Sequence, residues 1–122
     1  MAVVLIVEDN GANRTLAAFL LQSAGHSVLT ATDAESGLVL ARAELPGLIL
    51  MDIQLPGMDG LQAIALLKQD SSTRAIPVIA LTALAMKGDE ERIRAAGADG
   101  YIAKPIRYQD FLATVAARLD AR

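Results

Sequence analysis

The chain has 122 residues, which suffice for one hydrophobic core but not two, so we expect a single domain over residues 1–122 with no output domain. Aromatic residues make up only 3% of the chain, and the formal net charge of −3 comes without a Lys/Arg cluster, so neither a flavin site nor a nucleic-acid partner is expected. The chain has no Cys and no apolar run of membrane-spanning length, and we expect a cytoplasmic protein without disulfides or membrane contact.

Short apolar runs alternate with helical patterns along the chain. The apolar runs predict five strands, at about 3–8, 27–31, 48–52, 78–81 and 100–103. Helical spacing predicts five helices: about 13–24 before Gly25, from a cap at Thr32 or Asp33 to about Glu44, around Leu61 to Leu67, about 88–96, and about 108–120. Because parallel neighbours need crossover helices, this order predicts an α/β, doubly wound parallel sheet.

The first and last helices each carry an apolar stripe at helical spacing. In the first helix this stripe comprises Leu16, Phe19 and Leu20. In the last helix it comprises Tyr108, Phe111, Leu112, Val115 and Leu119.

Four of the apolar runs end on polar side chains. These are Glu8 and Asp9 after the first strand, Asp52 after the third, Thr82 after the fourth and Lys104 after the fifth. Ligands of open α/β sheets bind outside the carboxyl ends of the strands, so we expect these groups to meet there. Three carboxylates, a hydroxyl and an ammonium at one edge predict a site for a divalent cation and a phosphoryl group.

The residue types fit this chemistry. Crowded carboxylates repel one another unless a cation neutralises them, and Mg²⁺ prefers oxygen ligands. Asp52, on the central strand, is the predicted nucleophile toward phosphorus, with Lys104 and Thr82 contacting the phosphoryl oxygens. Taken singly, Asp9 could instead belong to a helix cap, and Thr82 and Lys104 could be an edge residue and a loop charge.

Four segments together resemble the receiver domain of two-component response regulators: residues 5–10, 48–60, 77–83 and 101–105. The resemblance extends over nearly the whole chain. Residues 53–56 and 85–94 are more narrowly similar to stand-alone cell-cycle receivers and to receivers of some hybrid histidine kinases. The resemblance implies a (βα)5 flavodoxin-like fold with five parallel strands in the order 2-1-3-4-5.

The resemblance implies a role for each residue of the acidic site. Glu8, Asp9, Asp52 and the main-chain carbonyl of Gln54 would hold Mg²⁺. Asp52 would accept the phosphoryl group. The domain would catalyse only its own phosphorylation and dephosphorylation, so we do not expect an enzyme acting on other substrates.

The resemblance also implies a switch. Thr82 and Lys104 would contact the phosphoryl group, Thr82 and Tyr101 would form the switch pair, and the peptide bond before Pro105 would be cis. Leu84, two residues after Thr82, has no group to orient water and is predicted to shield the phosphoryl group from hydrolysis.

Protein partners follow from the same resemblance. The phosphoryl donor would be a histidine kinase or a histidine phosphotransfer protein, docking on the first helix near Asn13, Arg14, Ala17 and Ala18. Output would pass through the face of the fourth helix, fifth strand and fifth helix to a downstream protein, a kinase or a second copy of the chain. A homodimer is therefore one possible assembly.

Three other kinds of phosphate site do not fit these residues. Glu8 and Asp9 would repel a flavin phosphate, the P-loop motif is absent, and Gly11 stands where an aspartate-nucleophile phosphatase needs its second acid. Two alternatives stay open: a degenerate receiver that acts as a phosphorylation-independent adaptor, and a receiver excised from a hybrid histidine kinase.

Overall fold

Five strands and five helices alternate in the computed structural model, which describes residues 2–83 and 87–120. The strands are β1 Val3–Val7, β2 Ser27–Ala31, β3 Leu48–Asp52, β4 Val78–Thr82 and β5 Gly100–Ala103. The helices are α1 Gly11–Ser23, α2 Ala34–Glu44, α3 Gly60–Gln69, α4 Lys87–Ala95 and α5 Tyr108–Asp120. Leu84, with its predicted shielding role, lies outside the described residues. No described helix is long and apolar enough to cross a bilayer.

The strands form one sheet in the order β2-β1-β3-β4-β5, and every neighbouring pair is parallel. This confirms the predicted doubly wound fold. All residues of β3 and β4 are buried, as expected for strands covered by helices on both faces. The central strands therefore carry the continuous apolar runs that made them recognisable in the sequence.

Alternate residues of β1 to β4 supply two separate cores. Leu5, Ile49 and Val78 point to the face covered by α2, α3 and α4. Val4 and Leu48 point to the opposite face, covered by α1 and α5. Aliphatic side chains fill both cores, and Phe111 is the one aromatic ring that is fully buried in the described part of the chain.

The N-terminus of α1 lies earlier than predicted. The helix begins at Gly11 because the side chain of Asn10 accepts a hydrogen bond from the Asn13 N–H at 3.0 Å. The side chain of Asp33 caps α2 in the same way. At the other end of α2, Leu45 adopts a left-handed conformation with φ of 46°, which costs energy for a residue with a Cβ atom.

The predicted stripe of α1 is wrong as the buried face of the helix, except at Leu20. Ala17, Leu20 and Leu21 are buried, whereas Leu16 is 39% and Phe19 is 63% exposed. The helix thus packs on a stripe that contains a small Ala, and the large ring of Phe19 lies on the solvent side. Ala17 is fully buried, so the prediction that it belongs to a docking surface is also wrong.

The stripe of α5 is mostly as predicted. Phe111 and Val115 are buried, and Leu112 and Leu119 pack against the same core. Tyr108 is 58% exposed, although it belongs to the same predicted stripe. It is the first residue of the helix, where the chain has only just left the connection from β5.

Lys68 of α3 joins three segments at the amino end of β4. Its Nζ donates to the carbonyl of Ile76 at 2.8 Å, to that of Arg74 at 3.2 Å, and to Asp99 Oδ2 at 2.8 Å. The same Asp99 oxygen accepts from the Val78 N–H at 2.8 Å. These bonds satisfy loop carbonyls that the sheet leaves unpaired.

Candidate functional site

Three acidic side chains meet at the carboxyl ends of β1 and β3. Glu8, Asp9 and Asp52 each offer one carboxylate oxygen, and these oxygens all lie within 4.8 Å of one another. Glu8 and Asp52 are buried, and Asp9 is exposed. The parallel pairing of β1 with β3, in which Val7 lies opposite Met51, brings the ends of the two strands level.

Lys104, which follows β5, reaches across to this acidic cluster. Its Nζ lies 2.8 Å from Glu8 Oε1 and 3.2 Å from Asp52 Oδ2. The lysine side chain is 15% exposed, so both ion pairs are largely shielded from water. One ammonium thus bridges two buried carboxylates, which is the convergence predicted from the strand ends.

The electrostatics of the cluster disfavour a second buried negative charge. Burial, together with the adjacent Glu8 carboxylate, raises the pKa of Asp52 to about 6, against the lowering effects of the Gln54 N–H and of Lys104. Burial alone would lower the pKa of Lys104, but its pairing with Glu8 and Asp52 outweighs this and raises it above the ordinary value. Cation binding would relieve the repulsion between the carboxylates.

The donor set fits a hard divalent cation. All the side-chain ligands are carboxylate oxygens, which Mg²⁺ prefers. Neither carboxylate oxygen of Glu8 accepts a well-directed hydrogen bond from the described residues, although both are buried and Oε1 is paired with Lys104. A buried oxygen of this kind needs a compensating partner.

The main chain around Asp52 is tightly held. The Gln54 N–H donates to Asp52 Oδ1 at 2.9 Å, and the Ile53 N–H donates to the Leu81 carbonyl at 3.1 Å. A Cβ atom placed on Gly60 would lie 2.1 Å from the main-chain oxygen of Asp52, so the first residue of α3 has to be glycine here. The Asp52 carboxylate therefore extends from a fixed backbone. The predicted ligand role of the Gln54 carbonyl stays a prediction.

The remaining predicted site residues lie at the ends of β4 and β5. Thr82 is fully buried, and its carbonyl accepts a hydrogen bond from the Lys104 N–H at 2.8 Å. Tyr101 is 38% exposed, and its main chain pairs with Ala80 of β4. The peptide bond between Lys104 and Pro105 is cis. The roles of Thr82 and Tyr101 in switching stay predictions.

The sequence analysis missed one contact of the site. Arg14 was assigned to a docking surface, but its Nη1 donates to the main-chain carbonyl of Glu8 at 2.9 Å and lies 3.4 Å from that of Asp9. Every residue has a main-chain carbonyl, so no motif in the sequence indicates such a contact.

Comparison with known proteins places this geometry in a family. Residues 4–116 match the response regulator receiver domain. The chain is 48% identical over 116 residues to the polar-differentiation response regulator DivK of Brucella anthropi, covering 95% of this chain and 94% of that protein. DivK of Brucella ovis matches with the same identity and coverage.

Solved structures show the same arrangement of elements. The chemotaxis response regulator CheY4 of Vibrio cholerae superposes with a TM-score of 0.92 at 29% identity, covering 97% of this chain and 98% of that one. The receiver domain of the sensor histidine kinase PA1611 of Pseudomonas aeruginosa, solved with a magnesium ion in its active-site cleft, gives a TM-score of 0.90 at 33% identity, with 98% of each chain covered. The chain therefore belongs to the response regulator receiver domain family of two-component signalling, and it is similar to DivK.

Proposed function

We propose that the domain accepts a phosphoryl group on Asp52 in a Mg²⁺-dependent reaction, and signals through protein contacts. The observation that carries this proposal is the cluster of three carboxylates, two of which pair with the ammonium of Lys104. A purely structural site would have no use for a second and third carboxylate beside one lysine, because the excess negative charge destabilises the fold.

In the proposed reaction, a carboxylate oxygen of Asp52 attacks the phosphorus of a phosphohistidine. An O–P bond forms to Asp52, the N–P bond breaks, and its electron pair stays on the imidazole nitrogen. The Gln54 N–H orients the carboxylate by binding Oδ1. Lys104 already lies within 3.2 Å of Asp52, so its ammonium can move from the carboxylate to the phosphoryl oxygens as the new bond forms.

Glu8, Asp9 and Asp52 would hold the cation, together with the Gln54 carbonyl. When bound, Mg²⁺ neutralises the carboxylates and the negative charge that the phosphoryl oxygens carry. The ammonium of Lys104 would then no longer be needed to neutralise Glu8 and Asp52, and can pair with the phosphoryl oxygens.

The test is phosphorylation by acetyl phosphate, followed by intact-protein mass. The parent chain with Mg²⁺ should gain one phosphoryl group, and should gain none with EDTA. Asp52→Asn should abolish the gain, whereas Asp120→Asn, an exposed acid at the end of α5, should leave it unchanged. A parent chain that folds and binds Mg²⁺ but never gains mass would instead support the phosphorylation-independent adaptor.

We propose that the phosphoryl donor is a histidine kinase or a histidine phosphotransfer protein that docks on α1. Leu16 and Phe19 are both exposed and lie three residues apart on α1, and this supports the surface because clustered exposed apolar side chains are typical of protein interaction sites. Ala18 lies beside them and also contacts the core. Thus the docking surface shifts from the predicted Ala17 to the neighbouring exposed positions.

Phe19→Asp tests the docking surface. Transfer from a purified histidine kinase should slow at least about tenfold, as expected when an interface loses an aromatic anchor. Labelling by acetyl phosphate should match the parent, because the small donor needs no docking surface. An unchanged rate from every kinase that phosphorylates the parent would refute the assignment.

We propose that output uses α4, β5 and α5, and that Thr82 and Tyr101 couple the site to that face. Thr82 is buried at the end of β4, and Tyr101 lies partly exposed on the neighbouring strand β5. Within the described part of α4, Ile93 is the residue buried in the core. A helix that packs on the core through one large side chain can shift at a low cost in free energy.

Thr82→Ala tests this coupling. The variant should still gain a phosphoryl group but lose the phosphorylation-dependent change in amide exchange across α4 and β5. Because an effect on folding would change exchange everywhere, the readout is the difference between phosphorylated and unphosphorylated variant. A difference equal to that of the parent would show that Thr82 does not couple the site to Tyr101.

A further inference from the structure

We infer that Arg14 is a positioning residue for the cation site: it holds the segment that carries Glu8 and Asp9 by binding main-chain carbonyls, and does not pair with their carboxylates. This inference rests on the proposed function, because it takes Glu8 and Asp9 as cation ligands. It assigns to the first turns of α1 a part in metal binding that is separate from partner docking.

The first observation is the choice of acceptor. A guanidinium next to carboxylates normally pairs with them in a bidentate geometry. Arg14 instead donates through Nη1 to the main-chain oxygen of Glu8 at 2.9 Å, and lies 3.4 Å from that of Asp9. In the described ranges, none of the ion pairs involves Arg14.

The second observation is how the rest of the segment is held. The Glu8 N–H donates to the Ala31 carbonyl at 3.0 Å, which fixes the segment to β2. Asn10 is fixed to α1 through its carbonyl, which accepts from the Arg14 N–H at 2.9 Å, and through its side chain, which accepts from the Asn13 N–H. The carbonyls of Glu8 and Asp9 lie between these two anchors, and Arg14 supplies their side-chain donor.

The positioning role of Arg14 and its positive charge predict opposite effects of its replacement on the affinity for Mg²⁺. As a bare positive charge near a cation site, Arg14 would weaken Mg²⁺ binding, so its removal would tighten binding. As an anchor of the ligand-bearing backbone, its removal would weaken binding, as happens when groups that orient metal ligands are lost. The sign of the change therefore separates the two roles.

The experiment is a calorimetric titration of the full chain with MgCl2 at fixed ionic strength, using the parent, Arg14→Met and Arg118→Met. Methionine keeps the aliphatic length and removes both the charge and the donors. We expect Arg14→Met to raise the Kd for Mg²⁺ about tenfold. Arg118→Met loses the same charge near the far end of α5 and should match the parent. Faster amide exchange at residues 8–10 in Arg14→Met should accompany the weaker binding.

An unchanged or lower Kd in Arg14→Met would overturn the inference. Asp9→Asn distinguishes this outcome from failure of the proposed function: if Asp9→Asn weakens binding while Arg14→Met does not, the cation site stands and the positioning role falls. If the parent itself does not bind Mg²⁺, the proposed function falls, and the inference falls with it. Should Arg14→Met fail to unfold cooperatively in urea, Arg14→Gln, which is shorter and neutral, gives the same comparison.

Discussion

Replacing Asp52 by Asn should stabilise the cation-free domain at alkaline pH. The pKa of Asp52 is raised to about 6 from the ordinary value of 3.8, so the folded state holds a proton that the unfolded chain has already lost. Each pKa unit corresponds to about 1.4 kcal/mol, and the difference therefore corresponds to about 3 kcal/mol. Relative to alkaline pH, the parent domain is more stable by this amount below pH 3.8, and it loses this stability as the pH rises through about 6.

Asn keeps an oxygen that can accept from the Gln54 N–H but carries no charge beside Glu8. In EDTA, the free energy of unfolding of Asp52→Asn should exceed that of the parent by about 3 kcal/mol at pH 8, and the two should converge near pH 4. Urea unfolding followed by circular dichroism measures the free energy of unfolding of both proteins at each pH. Addition of Mg²⁺ at pH 8 should stabilise the parent more than the variant.

Asp33→Asn provides a control of opposite sign. The hydrogen bonds from the backbone and side chain of Ser36 lower the pKa of Asp33, so its ionised form stabilises the domain above the ordinary pKa. Its replacement should destabilise at pH 8, with the effect fading in acid. Equal stability of Asp52→Asn and the parent at pH 8 in EDTA, or a gap that persists at pH 4, would refute the proposed repulsion at the site.

Three further changes test the scaffold, each by urea unfolding at pH 7. Gly60→Ala should destabilise by about 2 kcal/mol or more and raise the Kd for Mg²⁺, because its Cβ would collide with the main chain of Asp52, whereas Gly88→Ala, with open space around it, should not destabilise. Leu45→Gly should stabilise by about 0.5–1 kcal/mol by relieving the left-handed backbone, and Leu45→Ala, which keeps that backbone strained, should not. Lys68→Met should cost about 2 kcal/mol, since two loop carbonyls and a carboxylate lose their donor, and a cost below 0.5 kcal/mol, roughly the level of a neutral surface change, would contradict that role.

The sequence predicted the sheet well because central parallel strands are continuous apolar runs. The bounds of β2, β3 and β5 were those observed, and β4 extends one residue further, to Thr82. The buried face of the first helix was harder to predict. Phe19 has a stronger hydrophobic signal than Ala17, yet the sheet accepts the small side chain and leaves the ring outside.

The part of the site that side chains at strand ends form was predictable from the sequence. Glu8, Asp52 and Lys104 were expected together, and their distances agree with that expectation. The contacts that involve main-chain atoms were not predictable. Arg14 binds carbonyls, and Gly60 approaches a backbone oxygen, and neither contact depends on the identity of the residue that supplies the main-chain atom.

The two cores have a consequence for how such a domain can diverge. The helix proposed to meet the kinase, α1, shares its core with α5, whereas α4 packs on the other face of the sheet through Ile93. A substitution on α1 changes the packing of the core that α1 shares with α5. The sheet separates α4 from that core. Mutations on α1 can therefore alter partner choice without repacking α4, whereas α5, which the proposed output face also uses, shares a core with α1 and remains coupled to it.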